Sequence, residues 1–201
     1  MGERVVAYRL SSWESPVRTE PSRIDGRYHR AGELEPTQYF CLHPLGPWAE
    51  LMRARDLRTP EQVLAMRERT WAAVLDVEGF VRIGFEDARE HGLRPGDLVS
   101  TDYRACQRLA DRMRGLGVPG LLVPSAALPG TENVVVFGAR VAAPYTLEAP
   151  VSAIDVPASL TAEDGRPLLS LLERVVYRGE RFPQIWKDPE FAFSEPSWAR
   201  G

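Results

Sequence analysis

The sequence predicts an α+β fold: a mixed, mostly antiparallel sheet with surrounding helices. Short β-branched runs bounded by Pro and Gly recur from Val5–Leu10 to Asn133–Phe137. One segment, Tyr103 to Arg114, has clear helical periodicity, with Cys106, Leu109, Ala110 and Met113 at i, i+3, i+4 and i+7. At 201 residues the chain can bury one good core with an appended segment, but not two ordinary domains. An apolar fraction of 44% and a charged fraction of 26% are those of a folded, soluble protein. No run approaches the length of a membrane span, and the start, MGERVVAYRL, lacks the apolar region of a signal peptide, so a cytoplasmic location is expected.

Val5 to Leu10 reads as a strand. Ser11 to Glu35 is polar and irregular, too long for a bare connector, and holds the cluster Gly26, Arg27, Tyr28, His29, Arg30, Gly32. Thr37 to His43 alternates as a strand, and the breakers Pro44, Gly46 and Pro47 end it. Pro47 suits the first turn of a helix to about Asp56, on which Trp48, Leu51, Met52 and Arg55 share a face and Glu50 falls off the stripe in the N-terminal turn. Thr59 caps a further helix expected to reach Arg69. Trp71–Val77 and Phe80–Ile83 look like strands joined as a hairpin around Glu78–Gly79, and Pro95–Asp97 marks a turn. The helix from Tyr103 ends at Gly115 and Gly117. Beyond Arg140 there are strand-like patches at Tyr145–Leu147 and Val151–Val156 and a helix expected over Pro167–Val176. An aromatic tail, Glu180 to Gly201, is expected to pack along the domain or on a partner.

The chain is organised around Gly120 to Phe137, where two apolar runs flank a connection holding the polar residues Ser125, Thr131, Glu132 and Asn133. Such a strand-end connection serves either as a turn that satisfies its own backbone or as the place where a fold puts its chemistry. Cys41 and Cys106 read as buried thiols, and three histidines with two cysteines give no metal-ligand spacing. The net charge of -3 gives no global pull toward nucleic acid, and neither a nucleic-acid nor a membrane partner is expected. Arginines greatly outnumber the single lysine, Lys187.

The order of the polar positions is informative. Tyr8-Arg9, GRYHRAG from Gly26, the strand tyrosine Tyr39, Glu50 on the following helix, LLVPSA with Ser125, and finally Asn133 together resemble the RES domain family, named for its Arg, Glu and Ser. The resemblance runs over roughly residues 5 to 155. It implies an ADP-ribosyltransferase-like fold and an NAD+-consuming toxin neutralised by an Xre-type helix-turn-helix antitoxin, and it leaves a homodimer open. The implied organisation is a catalytic domain over residues 1–155 and a C-terminal extension over 156–201. Cleaving the nicotinamide–ribose bond passes through an oxocarbenium-like centre that needs a carboxylate, for which Glu50 is the candidate. Arg9 and Arg27 are candidates for the pyrophosphate, Tyr39 or Tyr28 for stacking on nicotinamide, Ser125 for a hydrogen bond to nicotinamide or ribose, and Asn133 for orienting that loop. This chemistry requires no metal and no covalent nucleophile.

Two departures stand out. Tyr28 occupies a position where the family usually has tryptophan or phenylalanine, and Phe40 to Ala49 replaces small polar residues. NAD+ hydrolysis, NAD+ phosphorolysis with phosphate as co-substrate, and ADP-ribosyl transfer to a protein share the same chemistry and stay open, as does a non-catalytic binding module.

Overall fold

The computed structural model describes residues 3–11, 20–138 and 165–183. Six strands form one sheet: β1 (Arg4–Leu10), β2 (Thr37–Cys41), β3 (Thr70–Asp76), β4 (Val81–Arg82), β5 (Gly120–Pro124) and β6 (Glu132–Phe137). Their order is β3-β1-β2-β6-β5-β4, antiparallel except for the parallel β4–β5 pair, so the expected mixed, mostly antiparallel sheet is present. Around it lie α1 (Gly46–Arg55), α2 (Pro60–Leu64) and α3 (Arg104–Gly115).

The expected hairpin between Trp71–Val77 and Phe80–Ile83 does not form. β3 pairs with β1 and β4 with β5, placing the two strands at opposite edges of the sheet although only residues 77–80 separate them. Crossing six strands of a flat sheet needs about 24 Å, whereas five residue steps reach at most about 18 Å, so the sheet curls strongly and its edges approach each other. Inside the curl Ala7, Phe40, Val77, Leu122, Val134 and Val136 pack together with Phe80 against them.

Pairing within this curl is uneven. β1 and β3 share seven register pairs and β2 and β6 share five, but β1 meets β2 only at Tyr8 opposite Cys41. The strands separate there, and Arg9 spans the gap by donating to Gln38 Oε1 at 2.9 Å.

α3 buries Cys106, Leu109, Ala110 and Met113, the face its periodicity predicts. α1 buries Trp48, Ala49 and Met52 against Val63, Leu171, Val175 and Tyr177. Its expected stripe is displaced: Arg53 is buried, whereas Arg55 is exposed and pairs with Glu68. α2 keeps its Thr59–Gln62 capping box but stops at Leu64 instead of Arg69. The following residues are drawn into extended pairing, Arg69 accepting from the Ser11 amide and Glu68 donating to the Gly165 carbonyl.

The helix expected over Pro167–Val176 is only a 3₁₀ turn, Leu169–Glu173. Val176 instead donates its N–H to the Ala127 carbonyl at 3.0 Å and accepts from Arg53 Nη1, tertiary bonds that compete with helix propagation. The patches at 145–147 and 151–156, the 155/156 boundary and the tail beyond residue 183 lie outside the described residues. Among the described residues no helix is long and apolar enough to cross a membrane.

Two predictions follow from this packing. A Cβ on Gly120 would meet the Phe80 ring at 2.2 Å and the Val135 carbonyl at 2.4 Å. Gly120→Ala should therefore destabilise the protein by about 2–3 kcal/mol, read from its urea midpoint. His43 accepts the Leu45 amide on Nδ1, and burial, with a smaller contribution from Arg174, lowers its pKa from 6.5 to about 4. The unfolded chain protonates His43 below 6.5 while the folded chain does not until about 4, so this stability is full above 6.5 and is lost as pH falls through 4. In thermal denaturation from pH 7 to 4, His43→Asn should lose less Tm on acidification than wild type.

Candidate active site

A cavity of about 400 Å³ opens where β1 and β2 part, lined by both strands, α1, the Gly26–His29 turn, Pro124 and Asn133. Glu50 stands at its wall on α1. It lies in the middle of the helix, and the first turn carries no acidic residue, so the expected placement at the helix dipole is corrected. What positions the carboxylate is a pair of side chains from the β5–β6 connection. Oε1 accepts from Ser125 Oγ at 2.9 Å and from Asn133 Nδ2 at 2.8 Å. Ser125 is fully buried, and its Oγ already accepts from the Ala127 and Leu128 amides at 3.2 and 3.1 Å. Its single proton is thereby committed to Glu50. Asn133 Oδ1 is buried with no hydrogen-bond partner among the described residues.

Arg27 and Tyr28 occupy the tip of a tight turn closed by backbone bonds between Gly26 and His29. Gln107 on α3 pins this turn by donating to both Gly26 and His29 carbonyls at 3.1 Å. Gly26 is required for its closeness, since a Cβ there would lie 2.1 Å from the His29 ring. Arg27 Nη1 donates to the Ser100 carbonyl at 2.6 Å and stacks over Tyr103 at 4.9 Å.

The tyrosines divide. Tyr28 sinks into the core with Ile83, Leu98 and Cys106, and burial raises its pKa. Tyr39 lines the cavity and its hydroxyl is held at both ends, accepting from the Tyr28 amide at 3.0 Å and facing His29 Nδ1 at 2.8 Å. Because His29 Nε2 must donate to the Ile24 carbonyl, at 3.0 Å, Nδ1 of the neutral ring is left to accept the Tyr39 proton. Burial raises the Tyr39 pKa, so the phenol stays protonated.

The structure thus gathers Arg9, Arg27, Tyr28, Tyr39, Glu50 and Asn133 around one cavity, with Ser125 behind Glu50. It adds residues the sequence reading missed: Tyr103, Arg53 and Arg178. Arg53 lies one helical turn after Glu50, a spacing visible in the sequence that puts both on neighbouring faces of α1. Burial lowers its pKa and the nearby Glu50 opposes that shift. Cys41 stays a thiol, its pKa raised by burial first and by the Glu50 charge second. Among the described residues no three His, Cys, Asp or Glu side chains converge as a metal site.

The family model described as RES domain matches residues 6–159. This chain belongs to the RES domain family. It is 35% identical over 121 residues to a probable NAD(+) phosphorylase of Mycobacterium tuberculosis (strain ATCC 25618 / H37Rv). That match covers 59% of this chain and spans just over half, 56%, of the relative's length. In structure the chain resembles a chain of the M. tuberculosis MbcT–MbcA toxin–antitoxin complex, with a TM-score of 0.57, 24% identity and coverage of 69% and 76% of the two chains.

Ser125→Ala removes the proton given to Glu50 and strands two buried amides. It should lower stability by about 2–3 kcal/mol, whereas Glu50→Gln, which retains an Oε1 acceptor, should denature within about 1 kcal/mol of wild type in urea.

Proposed function

We propose that this chain is a toxin-like enzyme that cleaves the nicotinamide–ribose bond of NAD+, with phosphate or water as the acceptor. The observation that carries the reading is Glu50, whose Oε1 is held by Ser125 and Asn133 in an arginine-rimmed cavity of about 400 Å³. Its place in the RES domain family and its similarity to a probable NAD(+) phosphorylase support it.

In the proposed reaction the C–N bond breaks and its electron pair leaves with nicotinamide, neutralising the pyridinium. A phosphate or water oxygen forms the new bond to the ribose carbon, and one proton is released to solvent. The Glu50 carboxylate stabilises the oxocarbenium-like charge between these events. Arg9 and Arg27 hold the pyrophosphate through their forks. Tyr39 offers its ring face to nicotinamide, since its hydroxyl proton is engaged by His29. Tyr28 supports this wall from the core. Asn133 Oδ1, buried without a protein partner among the described residues, suits a ligand N–H such as that of a carboxamide. Residues 1–155 form the catalytic domain in this reading, with 156–201 as an extension. An antitoxin of Xre type covers the cavity mouth and blocks access of NAD+, and the resemblance to a toxin–antitoxin complex supports such a partner.

The test is NAD+ loss by purified protein with and without phosphate. Wild type should consume NAD+, and Glu50→Gln should reduce kcat by roughly 10²–10³ while remaining folded. ADP-ribose 1″-phosphate as product identifies phosphorolysis and free ADP-ribose identifies hydrolysis. An unaffected Glu50→Gln enzyme, or no loss in either condition, would overturn the reading.

A further inference from the structure

The cavity's charge is unbalanced. Four arginines, Arg9, Arg27, Arg53 and Arg178, line it against two carboxylates, Asp25 and Glu50, in a chain whose net charge is -3. Arg27 and Arg53 are held by neutral carbonyls, those of Ser100 and Val176, which orient a guanidinium without cancelling its charge. Arg27 and Arg178 are both close enough to Arg53 for their like charges to bear on it. Glu50 bears on Arg53 more strongly and with the opposite sign, yet four guanidinium groups against two carboxylates leave an excess of positive charge that a bound anion neutralises.

Arg178 differs from the other three in origin and freedom. It lies beyond residue 159, where the family match ends. Its neighbours are fixed: Val176 joins Ala127 and Arg53, Tyr177 donates to the Leu57 carbonyl at 2.5 Å and lies under Arg58 at 4.2 Å, and Glu180 accepts the Tyr177 amide at 2.9 Å. Gly179, at φ 86°, turns the chain between them. Arg178 itself is exposed at the cavity wall, and among the described residues no hydrogen bond or ion pair engages its guanidinium. A backbone pinned on both sides of a side chain left unengaged is a positioned donor.

We propose that Arg178, supplied by the C-terminal segment and acting beside Arg53, binds a phosphoryl group in the cavity. Planar guanidinium forks match phosphoryl oxygens in shape and charge. The group is either free phosphate serving as acceptor or the pyrophosphate of the dinucleotide. This assignment rests on the NAD+-cleaving reading for its substrate.

Kinetics with varied phosphate and varied NAD+ should separate the two sources for wild type, Arg178→Ala and Arg178→Lys. Arg178→Ala should raise one KM about tenfold with kcat within about threefold, as loss of a charge-assisted contact predicts, and Arg178→Lys should recover part of it. A shift in KM for phosphate assigns the acceptor, and a shift in KM for NAD+ assigns the pyrophosphate. If wild type turns over and neither KM moves, the Arg178 assignment is wrong and the proposed function stands. If wild type shows no turnover, the proposed function is wrong and ligand-dependent Tm decides. Inorganic phosphate or ADP-ribose should then stabilise wild type but not Arg178→Ala, and equal shifts, including none in either protein, overturn the assignment.

Discussion

The site depends on the clasp between Glu50 Oε1, Ser125 Oγ and Asn133 Nδ2. A carboxylate at a half-buried wall loses water on one side, and two donors replace it. The direction of each bond is forced. Ser125 spends its acceptor capacity on two amides, and an amide nitrogen such as Asn133 Nδ2 can only donate. The clasp joins α1 to the β5–β6 connection, so a helix and a sheet that could otherwise shift independently are held in one arrangement. The C-terminal segment reinforces that join, since Val176 bonds Ala127 on one side and Arg53 on the other.

Much of the candidate site's lining was legible from the order of the polar residues. Arg9, Arg27, Tyr28, Tyr39, Glu50 and Asn133 come from separate elements yet line one cavity, with Ser125 backing the carboxylate. What holds Glu50 was not legible: the helix begins at Gly46, so the carboxylate sits past the first turn, away from the expected dipole position, and is held by partners 75 and 83 residues away. Local pattern carries no information about such distant partners. Arg53 could have been found from its one-turn spacing to Glu50. Arg178 could not, because its position is set by backbone bonds of Val176 to elements remote in sequence.

The strands show the same limit. The alternation in Trp71–Val77 and the turn at Glu78–Gly79 have the local form of a hairpin, and pattern alone cannot choose the neighbour of a strand. Here the seven pairs offered by β1 outweigh the two residues of β4, and the turn joins opposite edges. The 3₁₀ turn at Leu169–Glu173 replaces a helix for a related reason, as Leu171 and Val175 are spent on the α1 face and the backbone of Val176 on Ala127.

The link over residues 77–80 makes the curled sheet resemble a hoop fastened by a short strap. A hoop yields where its wall is thinnest, and that line is the junction of β1 and β2, stitched by a single register pair. The cavity lies along this seam, with Tyr8, Arg9 and Leu10 on one lip and Tyr39, Phe40 and Cys41 on the other. The sheet's compliance is thereby concentrated along the cavity, and the Glu50 clasp braces that seam from beside it, since Asn133 is the register partner of Cys41.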